Sequence, residues 1–184
     1  MSEQGLPFGF DTYGTSKGGL VVGAKYKSAD SGKTYRFCQA HTTFVGSALV
    51  ATATQHDPVV QVGTTIGVAT DDVSAGLSTT NPICLGVPTS ACPVSTGSVT
   101  YYFWALTNGL LTTTDTGSTL TSIAMNNDDD AAAGDAIIMT STDAACNTIA
   151  SGSASGDVRQ VGFAIVGVTA GTNLTTGVFV RTVF

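Results

Sequence analysis

Hydrophobic and polar residues alternate in short runs along this chain, and no long stretch keeps a helical period. The clearest run is Lys33–Gln39 (KTYRFCQ), which places Tyr35 and Phe37 on one face. Further strands are predicted over Thr43–Ala51, Pro58–Val62, Thr64–Ala69, Ile83–Gly86, Val99–Leu106, Leu110–Thr114, Thr119–Met125, Asp135–Thr140, Val158–Val168 and Gly177–Phe184. Clusters of Gly, Pro, Ser, Asn and Asp separate them, the residues that turn chemistry selects. Asn108-Gly109 predicts a tight hairpin, because both residues tolerate positive φ. Ala131–Ala133 and Asp143–Thr148 each suit a single helical turn. Short strands at this spacing predict an all-β body, an antiparallel β-barrel or β-sandwich.

Two segments break the simple alternation. In Val99–Leu106, Val99, Tyr101, Phe103 and Ala105 share one face, while Thr100, Tyr102, Trp104 and Leu106 share the other. A strand of a solvated sheet is polar on one side. Aromatics on both sides predict burial on both, with Tyr102 and Trp104 at a subunit interface or between two sheets of one chain. The second segment is the start. Gly5, Gly9, Gly14, Gly18, Gly19 and Gly23 are interspersed with Leu6, Phe8, Phe10 and Tyr13. This is too Gly-rich for a regular strand and too aromatic for a plain linker. It predicts an extended N-terminal arm over residues 1–32, ahead of a body over 33–184. Leu6, Phe8, Phe10, Tyr13 and Lys17 are its candidate docking residues on another surface. Each buried Phe contributes roughly 1.5–3 kcal/mol, and ordering the arm offsets part of that.

Composition narrows the function. Charged residues make up 11% of the chain, against about a quarter in an ordinary domain. There are 30 Thr and 16 Ser, one Glu, and four Lys that all precede residue 34. A net charge of -6 without a basic stripe opposes nucleic-acid binding. The lack of Glu, Lys and Leu at helical spacing excludes a coiled coil. The charge is also segregated. Residues 1–36 carry five cations and three acids, residues 37–158 carry ten Asp and no Lys or Arg, and residues 159–184 carry Arg159 and Arg181 alone. This segregation reads first as a solvated acidic surface; the sharper reading is a basic start that grips an acidic neighbour while the acidic body faces water. No membrane-spanning stretch or signal segment is visible, so synthesis in a reducing cytoplasm is expected.

Candidate chemistry is sparse. Cys38, Cys84, Cys92 and Cys146 form no C-x-x-C pair, which argues against structural zinc. Cys84 and Cys92 bracket a loop that a disulfide would staple, but reduced thiols suit the compartment better. His56-Asp57 lacks any nucleophile elbow. Asn126–Asp130 and Asp135 are dense in oxygen ligands, yet their spacing is not that of an EF-hand, and an acidic solvated turn is expected. No catalytic residue, cofactor or metal is expected.

Four short motifs, in order, carry a resemblance. Gly32–Ala40 (GKTYRFCQA) resembles the G-x-x-[YF]-R-[YF] strand that leads into the body of many tailed-bacteriophage head decoration, or cement, proteins. Gly63–Ala69 (GTTIGVA) resembles the G-x-x-x-G-V-A strand of that class, and Gly134–Ile138 (GDAII) its Gly-Asp plus apolar strand. Val161–Ala164 (VGFA) resembles its closing V-G-x-A strand. The resemblance spans residues 32–184, leaves the arm uncovered, and breaks at the cysteine-bearing insert near 82–95. It implies a non-catalytic structural protein on the outer surface of an icosahedral head. Such a protein is commonly a homotrimer, and it clamps neighbouring subunits of the major capsid protein. No nucleic-acid or membrane partner is implied. Composition alone also allows a phage tail or fibre β-domain, or a carbohydrate-binding module with Tyr102 and Trp104 as its platform.

Overall fold

The computed structural model describes residues 6–45, 48–49, 51–52, 55–78, 81–111, 132–140, 146–149, 159–165 and 178–183. These residues are all-β apart from one 3-10 turn, Val73–Ala75, which Asp72 caps by accepting from the Ser74 and Ala75 amides. The strands are β1 (Tyr13–Gly14), β2 (Lys25–Lys27), β3 (Thr34–Ala40), β4 (Ala48–Leu49), β5 (Ala51–Thr52), β6 (Gln55–His56), β7 (Val59–Gln61) and β8 (Val68–Thr70). They continue as β9 (Cys84–Pro88), β10 (Cys92–Pro93), β11 (Tyr102–Leu110), β12 (Ala136–Met139), β13 (Cys146–Ile149), β14 (Gln160–Ala164) and β15 (Val178–Arg181).

The spine is β11, the longest strand, rich in the aromatic and branched residues that fit a pleated surface. One of its edges pairs with β3 from Tyr102 to Asn108. Its other edge is shared end to end by β1, β9 and β15. From β9 the pairing runs through β7 and β8 and returns to β3, so β3, β11, β9, β7 and β8 close a ring. Every pairing in it is antiparallel except β3 with β8. Beyond β11 the sheet continues through β15, β14, β12 and β13, and β2 pairs with β3.

The two faces of these strands build two cores. One face gathers Cys38, Ala40, Val59, Ala69, Leu85, Phe103 and Ala105, closed by Phe44 and Cys92. The other gathers Tyr35, Phe37, Val87, Trp104 and Leu106 with Ile137, Met139, Val161, Val178 and Val180 of the continuing sheet.

Several expectations need correction. Asn108-Gly109 is no hairpin: both residues lie inside β11 and pair with Arg181 and Val180. Gly109 uses its conformational freedom inside the strand, at φ 136°. The β3 register slips between Leu106 and Asn108, and the skipped Thr107 donates its hydroxyl to the Thr34 carbonyl at 3.0 Å. Two expected strands therefore form one, and residues 112–114 lie outside the described residues. The strand expected from Thr64 begins only at Val68, because Gly63 and Gly67 take φ of 61° and 95° and make a turn. Cys146–Ile149 is a strand rather than part of a helical turn. The start is also not featureless: Tyr13–Gly14 and Lys25–Lys27 both pair. The expected strand over Thr119–Met125 and the Asn126–Asp130 run lie outside the described residues.

Candidate functional site: the aromatic seat of the N-terminal segment

Adjacent, antiparallel β3 and β11 set Tyr35 opposite Leu106 and Phe37 opposite Trp104. Cross-strand partners share a face, so Tyr35, Phe37 and Trp104 form one aromatic seat. Phe37 and Trp104 lie 4.9 Å apart between ring centroids, and Tyr102 stacks on Phe37 at 5.5 Å and 8°.

The seat is filled by the chain's own start. Phe10 stacks on Tyr35 at 4.2 Å and meets Trp104 edge-on at 4.8 Å. Phe8 lies 5.9 Å from Phe37 and 6.1 Å from Trp104, and Tyr26 adds an edge contact at 5.4 Å. Leu6, Leu20 and Val22 complete the cover. The Thr89 hydroxyl lies within hydrogen-bond reach of the Phe10 and Trp104 carbonyls, and its one proton serves either. Three glycines make the close approach feasible. A Cβ on Gly14 would come within 2.6 Å of the Phe8 ring. Gly23 and Gly67 both have positive φ, and a Cβ on Gly67 would stand 2.3 Å from the Gly23 nitrogen.

This placement revises the residues expected to dock elsewhere. Leu6, Phe8 and Phe10 are half-buried on their own body, because an aromatic seat of matching size lies within the chain. Tyr13 remains 45% exposed, with an edge contact to Tyr101 at 5.9 Å, and Lys17 is exposed. Trp104 has no exposed surface, so it offers neither a subunit contact nor a sugar platform. Both faces of β11 find their partners within one chain. Among the described residues the indole N–H of Trp104 has no hydrogen-bond acceptor, a cost of about 1–3 kcal/mol that the surrounding rings offset.

The polar chemistry is thin. All four cysteines are free and buried. Burial pushes the Cys38, Cys84 and Cys92 thiols up to about 12, and Cys146 well above the ordinary range, which leaves them neutral and unreactive. His41 accepts from the Thr43 amide at 3.2 Å, a local turn contact. Asp135 accepts from the Ala132 amide at 2.8 Å in the turn before β12. Among the described residues no group of three or more His, Cys, Asp or Glu could hold a metal, and no helix is long and apolar enough to cross a membrane.

Sequence reasoning missed Arg36. It alternates with the seat residues on β3, faces the opposite way, and is 3% exposed. Only its position between Tyr35 and Phe37, in a strand with both faces buried, hinted at this. Against known proteins, the chain matches no family model, no curated protein and no solved structure.

Proposed function

We propose that the chain is a non-catalytic structural protein of a phage virion. In this reading it binds the outer surface of the icosahedral head as a homotrimer and clamps neighbouring subunits of the major capsid protein. The observation that carries the reading is where the four ordered motifs fall. GKTYRFCQA becomes β3, GTTIGVA the turn into β8, GDAII the turn into β12, and VGFA lies in β14. All four thus supply strands, or the turns entering them, of one sheet. The sparse charge and Thr-rich composition suit a long-lived particle component.

The expected contact surface is the outer side of the N-terminal segment, where Tyr13, Lys17 and Val21 are exposed, Val21 by 66%. Of the cation-free acidic stretch over 37–158, Asp57 and Asp71 are buried and Asp72 and Asp135 half-buried, so its described part forms no acidic outer face.

The test is to mix purified chain with expanded, undecorated heads of the phage that encodes it and to image them by electron microscopy. Density at local three-fold positions on the head, in hundreds of copies, is expected. Absence from the head, or a few copies on the tail, overturns the reading.

A further inference from the structure

The face of β3 opposite the aromatic seat holds a charge that no described residue neutralises. Arg36 is 3% exposed, and among the described residues its one hydrogen bond runs from Nη1 to the Gly23 carbonyl at 3.2 Å. Its Nε is enclosed and has no partner among the described residues. The Gly23 carbonyl is fixed by its surroundings, since the Gly23 amide bonds the Phe37 carbonyl at 2.7 Å and the φ of 87° suits only glycine.

A second cation stands beside it. Lys25 on β2 is the direct register partner of Arg36, so the two side chains leave the sheet on one face. Like charges placed directly opposite destabilise a sheet. Among the described residues no carboxylate forms an ion pair with either. The two thiols whose ionisation would act on the guanidinium, Cys38 and Cys84, are neutral at physiological pH and supply no negative charge. Burial, and after it the Arg36 charge, lower the Lys25 pKa, as expected for an ammonium facing a second cation.

A buried guanidinium with an unused N–H is costly unless something accepts from it. The group that satisfies a planar fork of donors and a flexible ammonium together is an oxyanion, which takes paired hydrogen bonds from Arg and a charge from Lys. We infer that Arg36 and Lys25 form a binding site for a small oxyanion of the carboxylate or phosphate class. A free ion and a carboxylate side chain of another subunit present the same atoms to it.

The test uses the whole purified chain. The Arg36 Nε–H signal is followed by NMR while acetate or inorganic phosphate replaces chloride at constant ionic strength. A saturable shift is expected, with a matching rise in thermal midpoint as ligand binds only the folded state. Lys25→Gln lies at an exposed position and should keep the fold while weakening the response up to about fivefold. Arg36→Met keeps the side-chain volume and removes the uncompensated charge. It should be no less stable in chloride and should lose the oxyanion response. An Nε–H signal that stays still through the titration, or one that moves equally with chloride, overturns the site. So does an unchanged response in Lys25→Gln. Release of bound acetate or phosphate when the chain binds another subunit would assign the site to a protein carboxylate, and retention to a free ion.

Discussion

Phe103 and Trp104 are neighbours on β11, both with no exposed surface, yet they sit in different kinds of core. Phe103 packs in a cluster with Cys38, Ala40, Val59, Ala69, Leu85 and Ala105, and the strands that carry them are tied to one another around a closed ring. Trp104 packs among large rings, and part of its cover is a Gly-rich segment whose strand pairings, among the described residues, are β1 with β11 and β2 with β3. The first core is closed by sheet topology. The second is closed in part by side-chain docking, which has fewer backbone bonds to break before it opens.

The largest expected effect follows from that difference. Trp104→Ala should cost about 3–5 kcal/mol, read as a lower urea midpoint. It should also speed amide exchange across residues 6–24, including the Leu20 amide that now bonds the Lys17 carbonyl. Phe103→Ala should cost a similar amount and leave exchange in 6–24 nearly unchanged relative to the global stability. Equal loosening of that segment by both substitutions would erase the distinction between the cores.

Phe10→Ala comes next. Phe10 is half-buried and makes two ring contacts, so about 2 kcal/mol is expected. The loss should appear mainly as faster exchange and proteolysis within 6–24, before global unfolding. Global destabilisation without local opening would show that the segment is a cooperative part of the body.

Much of this fold is legible in the residues. The KTYRFCQ alternation reads directly as β3, and the two-faced aromatic run reads as a strand buried on both sides. Periodicity gives the faces but not their partners. Nothing local to Phe8 or Phe10 says that the surface they fit lies 25 or more residues later on the same chain, because the fit depends on the β3–β11 pairing. The Asn-Gly pair shows the same limit. A residue that tolerates positive φ suits a turn or, like Gly109 at φ 136°, the interior of a paired strand, and the long-range register with β3 and β15 decides which. Arg36 was hidden for another reason. A charged residue in an alternating strand reads as solvent-facing until both faces of the strand are seen to be covered.

The thiols give a smaller and more graded contrast. Cys38 and Cys92 belong to the core around Phe103, Cys84 and Cys146 to the one around Trp104. Burial raises each thiol above its unfolded value, for Cys38 to about 12. The unfolded chain then releases protons that the folded chain keeps, so stability is full below about pH 8.5 and falls as pH rises toward the folded value. Each thiol contributes a slope of up to about 1.4 kcal/mol per pH unit in that window. Cys38→Ala should flatten the alkaline loss by one thiol's share, measured as urea midpoints between about pH 8 and 11. A slope unaffected by the substitution would mean that Cys38 titrates normally and that its surroundings are wetter than the packing shows.

Tyr13→Ala should have the smallest effect on the fold and, under the proposed function, a large one on binding. The side chain is 45% exposed, touches Tyr101 only at a ring edge, and has its backbone held by the Phe103 pairing whatever the side chain. A stability change within about 0.5 kcal/mol is therefore expected. An exposed tyrosine at the centre of a protein contact behaves differently, and its truncation there commonly costs about 2 kcal/mol or more, near thirtyfold in affinity. Binding to undecorated heads should fall by that order while the urea midpoint stays in place. Unchanged binding would move the contact surface off the N-terminal segment. The segment would then serve the body alone, as the cover over Trp104.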